Sequence, residues 1–120
     1  MNLDRHIADL EQDLGMTLTT TESQRFVQDD QAFTFDGDRV GYADTSYTEH
    51  VVTATGFAWE QDGVTIRGQF PQSIEAIRVR TDRHGDEFDS ERNDKAVARA
   101  ILAKLGPIPY RDEVVLGMAA

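Results

Sequence analysis

Apolar residues recur at helical spacing over the first fourteen positions of the chain. Leu3, Ile7, Leu10 and Leu14 are separated by four, three and four residues, which places them on one narrow stripe of a helix. Gly15 follows as a residue suited to ending a helix in the left-handed conformation. The pattern predicts a helix over residues 2–14 that buries one face.

From about residue 16 to residue 92 the apolar positions form short runs that alternate with polar ones, which is typical of strands. Turn dipeptides that tolerate positive φ separate these runs, so we expect hairpins. A further short strand is possible around residues 25–28. The three predicted hairpins are 31–42 turning at Asp36-Gly37, 51–60 with 64–70 turning at Asp62-Gly63, and 74–81 with a stretch around Phe88 across His84-Gly85.

The central hairpin has one bulky and one flat face if its strand alternates regularly. Phe57 and Trp59 then lie on one side, and the small residues Ala54, Gly56 and Ala58 lie on the other. The flat face would allow a helix to approach closely. The alternative is a shallow groove there for a ligand or a partner peptide.

A second helix is predicted from about Asn93 to Leu105. Asn93 is a suitable N-cap, Val97, Ile101 and Leu105 recur every four residues, and Gly106-Pro107 would end the helix. Residues 114–116 would then add a short strand or pack on the core. The predicted fold class is α+β: an antiparallel meander of five or six strands with the N-terminal and C-terminal helices packed on one face.

Length and composition favour a single domain over residues 1–120. The chain has 39% hydrophobic residues and no cysteine, so it can form a core but has no disulfide, thiol or Cys-ligated zinc chemistry. No stretch is apolar enough for a membrane span or a signal peptide, and we expect a cytoplasmic protein.

The sequence favours a non-enzymatic role without cofactor or metal. The best metal candidate is the segment from Asp82 to Asp89, but its spacing lacks the EF-hand glycine and final glutamate, so a solvated turn is the simpler interpretation. His6 and His50 are not in a zinc-binding arrangement. The serines are outside nucleophile motifs, and no phosphate-binding glycine motif occurs.

Negative charge dominates the chain and is concentrated in its first half. The 22 Asp and Glu residues exceed the 12 Lys and Arg residues to give a net charge of −10, of which residues 1–60 carry −9. Such a field repels nucleic acid and anionic membranes and attracts basic partners. Arg67, Arg78 and Arg80 are the exception, and we expect them to balance nearby acids such as Glu75, with an anion or RNA contact as the alternative.

Two functions are compatible with this charge. The first is an acidic interaction protein that occupies a basic nucleic-acid-binding site on a protein partner, as nucleic-acid mimics that inhibit restriction or CRISPR systems do, or as an immunity protein covers a toxin. The alternative is a small-molecule-binding or enzymatic domain of a halophile, whose acidity is adaptation to salt and whose site is the groove near Trp59. We expect a monomer or a homodimer. For the first function the predicted partner-binding residues form one anionic face: Asp4, Glu11, Asp29, Asp30, Asp36 and Asp38.

Overall fold

The computed structural model describes residues 2–37 and 39–105, without the side chains of Gln61 and Leu105. The described chain has an α+β fold with helices near both ends and antiparallel strands between them, as predicted. The predicted strand at residues 114–116 lies outside the described residues. In chain order the elements are α1 (Leu3–Leu14), β1 (Thr17–Val27), β2 (Asp30–Phe35), β3 (Arg39–Asp44), β4 (Tyr47–Gln61), β5 (Val64–Thr81), β6 (Glu87–Arg92) and α2 (Asp94–Leu105).

The strands form two sheets rather than one meander. Four of them pair in the order β1-β4-β5-β6, whereas β2 and β3 pair only with each other. We call residues 30–44, which comprise β2, its turn and β3, the ribbon. The ribbon interrupts the connection between β1 and β4. The short strand expected around residues 25–28 is the end of β1, an edge strand of 11 residues.

The three turns that the sequence predicts are present. Asp36 and Gly37 have φ of 50° and 78°, and Asp62 and Gly63 have φ of 52° and 78°, the positive values that these dipeptides tolerate. Gly85, with φ of 82°, lies in the turn that joins β5 to β6. Local turn chemistry therefore determines where this chain reverses direction.

Each helix packs residues of its predicted stripe against the same side of the four-stranded sheet. Leu10 and Leu14 of α1 and Val97, Ala98 and Ile101 of α2 are fully buried. Both helices contact β5 and each other. Helix α1 begins at Asn2, whose side chain accepts a hydrogen bond from the Arg5 amide at 3.3 Å, and ends at Gly15 with φ of 72°.

The prediction for the two faces of the central hairpin is wrong because β4 contains a bulge. Thr20 pairs with Ala54 and Thr19 with Gly56, so Thr55 has no partner on β1 and the side-chain alternation shifts by one residue. Ala54 therefore lies in the same core cluster as Phe57 and Trp59. The bulky side, not the flat side, faces the helices.

Strand β5 contains a second irregularity, which lies opposite the bulge in β4. Ala54 pairs with Ile74 and Gly56 with Gln69, which leaves residues 70–73 without partners on β4. Pro71 lies in this insertion, where its missing N–H removes no ladder hydrogen bond. The two predicted segments 64–70 and 74–81 are thus one bent strand that follows β4 along its whole length.

Candidate partner-binding site

The ribbon projects from one end of the four-stranded sheet. A strand rises about 3.3 Å per residue, so the stretch from residue 39 to residue 61 would span roughly 70 Å if it ran straight. The longest dimension of the molecule is 68 Å and the other two are 25 and 23 Å. The ribbon therefore continues the strand direction and does not fold back onto the body.

Short hydrogen bonds close the base of the ribbon, where its two chain segments leave the sheet. The carbonyl of Asp29 accepts bonds from both the amide and the hydroxyl of Thr45 at 2.7 Å. The Asp44 carboxylate accepts bonds from the Ser46 amide at 2.9 Å and from the Ser46 hydroxyl. These bonds lower the pKa of Asp44, the hydroxyl bond most strongly. The ribbon is thus joined to the body by a hydrogen-bonded junction.

One face of the ribbon packs its aromatic rings on its own backbone. Phe33 and Phe35 lie with ring centroids 5.7 Å apart, and Phe33 pairs with Gly41 on the opposite strand. A Cβ atom at Gly41 would lie 2.6 Å from the Phe33 ring and 2.9 Å from the Phe35 ring. Glycine at this position therefore lets both rings cover the neighbouring strand, which holds the two strands together.

The opposite face carries large apolar side chains that are left in solvent. Tyr42 is 74% exposed and Val40 is 57% exposed, and their cross-strand partners Ala32 and Thr34 are too small to cover them. Asp30 and Asp44 pair directly with each other at the base of this face. We call it the Tyr42 face; it consists of Asp30, Ala32, Thr34, Val40, Tyr42 and Asp44.

The acidic residues predicted to bind a partner lie on two elements. Asp29, Asp30 and Asp36 lie at the base and tip of the ribbon, while Asp4 and Glu11 lie on α1. Asp38 lies outside the described residues. Within the described residues none of these five carboxylates forms an ion pair, and that they make one contiguous anionic face stays a prediction.

The two acids on α1 differ in what they contact. His6 lies 3.1 Å from Glu87 and Asp13 lies 2.6 Å from Arg92, so α1 runs along β6 with its N-terminus toward the end that bears the ribbon. Asp4, in the first turn, is exposed at that end. Glu11 instead accepts a hydrogen bond from the Leu18 amide at 2.7 Å, which ties α1 to the start of β1. Its carboxylate has a structural role.

Arginines on the uncovered face of the sheet are neutralised by acids. The side chain of Glu49 is only 4% exposed and lies within 3.6 Å of Arg25, Arg78 and Arg80. Arg78 also donates to Glu75 at 2.7 Å, as expected from the sequence, and Arg80 pairs with Asp89. Arg67 lies further along the same strand, and among the described residues no acid forms an ion pair with it.

The turn at residues 82–86 uses its acidic oxygens within the chain. Asp82 accepts hydrogen bonds from the amides of His84 at 2.8 Å and Asp86 at 3.0 Å, and these bonds, led by that of Asp86, lower the pKa of Asp82. Across the part of the chain that the structure describes, no three His, Asp or Glu side chains are placed to hold a metal ion.

The grooves of the body differ in polarity. One of about 400 Å³ is lined mainly by polar and charged side chains, among them Glu75, Glu91 and Asn93. A more apolar one, of about 640 Å³, runs between the insertion in β5 and α2, with Phe70, Pro71, Ile74 and Ala100 in its wall and Gln69, Gln72 and Lys104 as its main polar groups. Trp59 does not open a groove on the helix-covered side, because it is 5% exposed and stacks on Phe57 at 6.1 Å.

Sequence reasoning identified the acids of the ribbon but missed Val40 and Tyr42. The signal was present, because residues 32–35 and 40–43 place apolar side chains on both faces of a hairpin. A strand with two apolar faces predicts burial on both sides. Only the structure shows that this hairpin leaves the sheet and buries neither face fully.

Comparisons with known proteins returned no match: no protein-family model, no characterised protein and no solved structure is significantly similar to this chain. Neither described helix is long and apolar enough to cross a membrane. The fold and the ribbon are therefore the observations on which a functional proposal rests.

Proposed function

We propose that this chain is a non-enzymatic acidic interaction protein that uses the ribbon to occupy a basic site on a protein partner. In its most specific form, the proposal is that this site normally binds nucleic acid, so that the protein acts as an inhibitor or an immunity protein. The observation that carries the proposal is the ribbon itself, a projecting hairpin with acidic ends and exposed aromatic and aliphatic side chains.

The charge of the ribbon supports a basic partner. Residues 30–44 contain four aspartates and one arginine, a formal charge of −3. Arg78 and Arg80 of the sheet, by contrast, are paired with acids. Within the described residues the aspartates of the ribbon form no ion pair, although the charge of Arg83 acts on Asp44. The ribbon therefore presents a negative potential to a partner.

The low intrinsic stability of a lone hairpin and the exposed apolar surface of the ribbon support the same proposal. A two-stranded hairpin without a core is marginally stable in water, and exposed apolar patches on a projecting element are typical of contact surfaces. The hydrogen bonds of Asp29 and Asp44 join and order the two chain segments at the base of the hairpin. A contact element that is already ordered loses less entropy on binding.

The test begins with affinity capture from the native host at low salt, followed by interferometry with the purified partner at two ionic strengths. The variant Asp30→Asn with Asp36→Asn should slow association, and asparagine tolerates the φ of 50° at position 36. The matched control is Glu60→Gln with Asp62→Asn, which removes two charges around the turn at the other end, where φ is 52°.

We expect affinity to fall at least about tenfold between 50 and 500 mM salt, and a short oligonucleotide to compete. Binding that resists salt and is equally sensitive to the control variant would refute the proposal. The halophile alternative makes a separate prediction, because an acidic domain adapted to salt should unfold at low salt whereas an interaction protein stays folded and binds more tightly there.

A further inference from the structure

The two faces of the ribbon are covered to different extents. On one face Phe33 and Phe35 lie over Gly41, so their rings already have neighbours within the hairpin. On the Tyr42 face the two large side chains stand beside Ala32 and Thr34 and remain mostly in solvent. Phe33 and Phe35 are 48% and 40% exposed, whereas Val40 and Tyr42 are 57% and 74% exposed, so the apolar side chains of the Tyr42 face are the less covered.

Charge indicates what could cover the Tyr42 face. Asp30 and Asp44 are direct cross-strand partners, and like charges in this arrangement are about 5 Å apart at Cβ and repel. Bonds from Ser46, and to a smaller extent the charge of Arg83, lower the pKa of Asp44, whereas no ion pair within the described residues involves Asp30. A cation placed between the two carboxylates would relieve this repulsion.

We propose that the Tyr42 face binds a protein surface on which lysine or arginine side chains flank an apolar patch. The cation would lie between Asp30 and Asp44, and the apolar patch would cover Val40 and Tyr42. This inference rests on the proposed function and specifies the chemistry of its partner. A second copy of this chain fits poorly, because two ribbons of charge −3 would repel.

Two synthetic peptides of equal charge test the proposal by calorimetry. In one peptide lysine is the only residue type whose side chain is charged or can make contacts. The other peptide is an amphipathic helix of leucine and lysine. The wild-type protein should bind the leucine–lysine peptide at least tenfold more tightly. The variant Val40→Thr with Tyr42→Thr has β-branched residues, which favour strands, at both positions, and it should lose that difference while its affinity for the lysine peptide changes less than twofold.

The control variant removes apolar surface of similar exposure elsewhere. Val64 is 60% exposed beside the turn at the far end of the sheet, and Phe26 is 66% exposed on β1. Val64→Thr with Phe26→Thr should leave both affinities unchanged. An NMR titration of the wild-type protein with the leucine–lysine peptide gives a readout that needs no variant, and the amides of Val40 and Tyr42 should shift most.

The possible outcomes separate the two proposals. If both peptides bind equally, or if the control variant loses as much as the ribbon variant, then this inference is refuted while a basic partner remains supported. If neither peptide binds at low salt, the proposed function fails together with the inference. Shifts centred on Phe33 and Phe35 rather than on Tyr42 would assign the contact to the other face and refute the inference alone.

Discussion

Replacing Glu49 by glutamine should destabilise this protein more than any other single loss of charge on the uncovered face of the sheet. The Glu49 side chain is 4% exposed and accepts hydrogen bonds from Arg25 at 2.9 Å and from Arg80 at 3.3 Å. Arg78 lies 3.6 Å away, which is close enough for an ion pair but too far for a hydrogen bond.

The expected magnitude follows from the number and burial of these contacts. Each hydrogen bond to a charged group contributes about 1.5–3 kcal/mol, and breaking a buried ion pair costs about 3–5 kcal/mol. The glutamine oxygen would keep one bond, and the arginines retain access to water and to other acids such as Asp89. We therefore expect a loss of about 2–3 kcal/mol in the free energy of unfolding.

The matched control is Glu75→Gln, which removes a carboxylate from the same network at an exposed position. Glu75 has a side chain that is 59% exposed and a single hydrogen bond with Arg78 at 2.7 Å. Exposed ion pairs contribute at most about 1 kcal/mol, so the control should cost less than that.

Urea denaturation of both variants at low and high salt measures the difference. The loss for Glu49→Gln should persist at about 1 M salt, because salt screens buried pairs much less than exposed ones. Equal losses for the two variants, or a Glu49→Gln loss that disappears in salt, would show that solvent reaches Glu49 and would refute the reasoning.

Three further predictions concern the core, a close backbone approach and the base of the ribbon. Leu10→Ala should cost about 2–4 kcal/mol by urea denaturation, because Leu10 is fully buried; a loss below about 0.5 kcal/mol would mean that α1 does not pack on the sheet. Gly68→Ala should cost about 1–3 kcal/mol in thermal denaturation, since its Cβ would lie 2.5 Å from the buried ring of Phe57; unchanged stability would show that the ring can move aside. Because bonds from Ser46 lower the pKa of Asp44, their stabilising effect is complete at neutral pH and is lost below about pH 4; an NMR titration should show Asp44 titrating at higher pH in Ser46→Ala, and an unchanged midpoint would contradict this.

Local sequence determined much of the architecture. The spacing of Leu10 and Leu14 predicts the buried face of α1 because a helix places such residues on one stripe whatever lies opposite. The turn pairs at residues 36–37 and 62–63 predict the hairpins because positive φ is a property of the dipeptide itself. For the candidate site, the sequence gives the acidic charge of the ribbon but not the contribution of Tyr42.

Only the tertiary structure decided how the strands associate and which faces remain exposed. The bulge at Thr55 depends on the registers of β4 with its neighbours, and it places Ala54 on the same side as Phe57 although simple alternation places them on opposite sides. The residues of the ribbon likewise contain no sequence pattern that predicts its departure from the sheet. Burial depends on what packs against a strand. In the described fold no element packs over Tyr42, although its side chain is largely apolar.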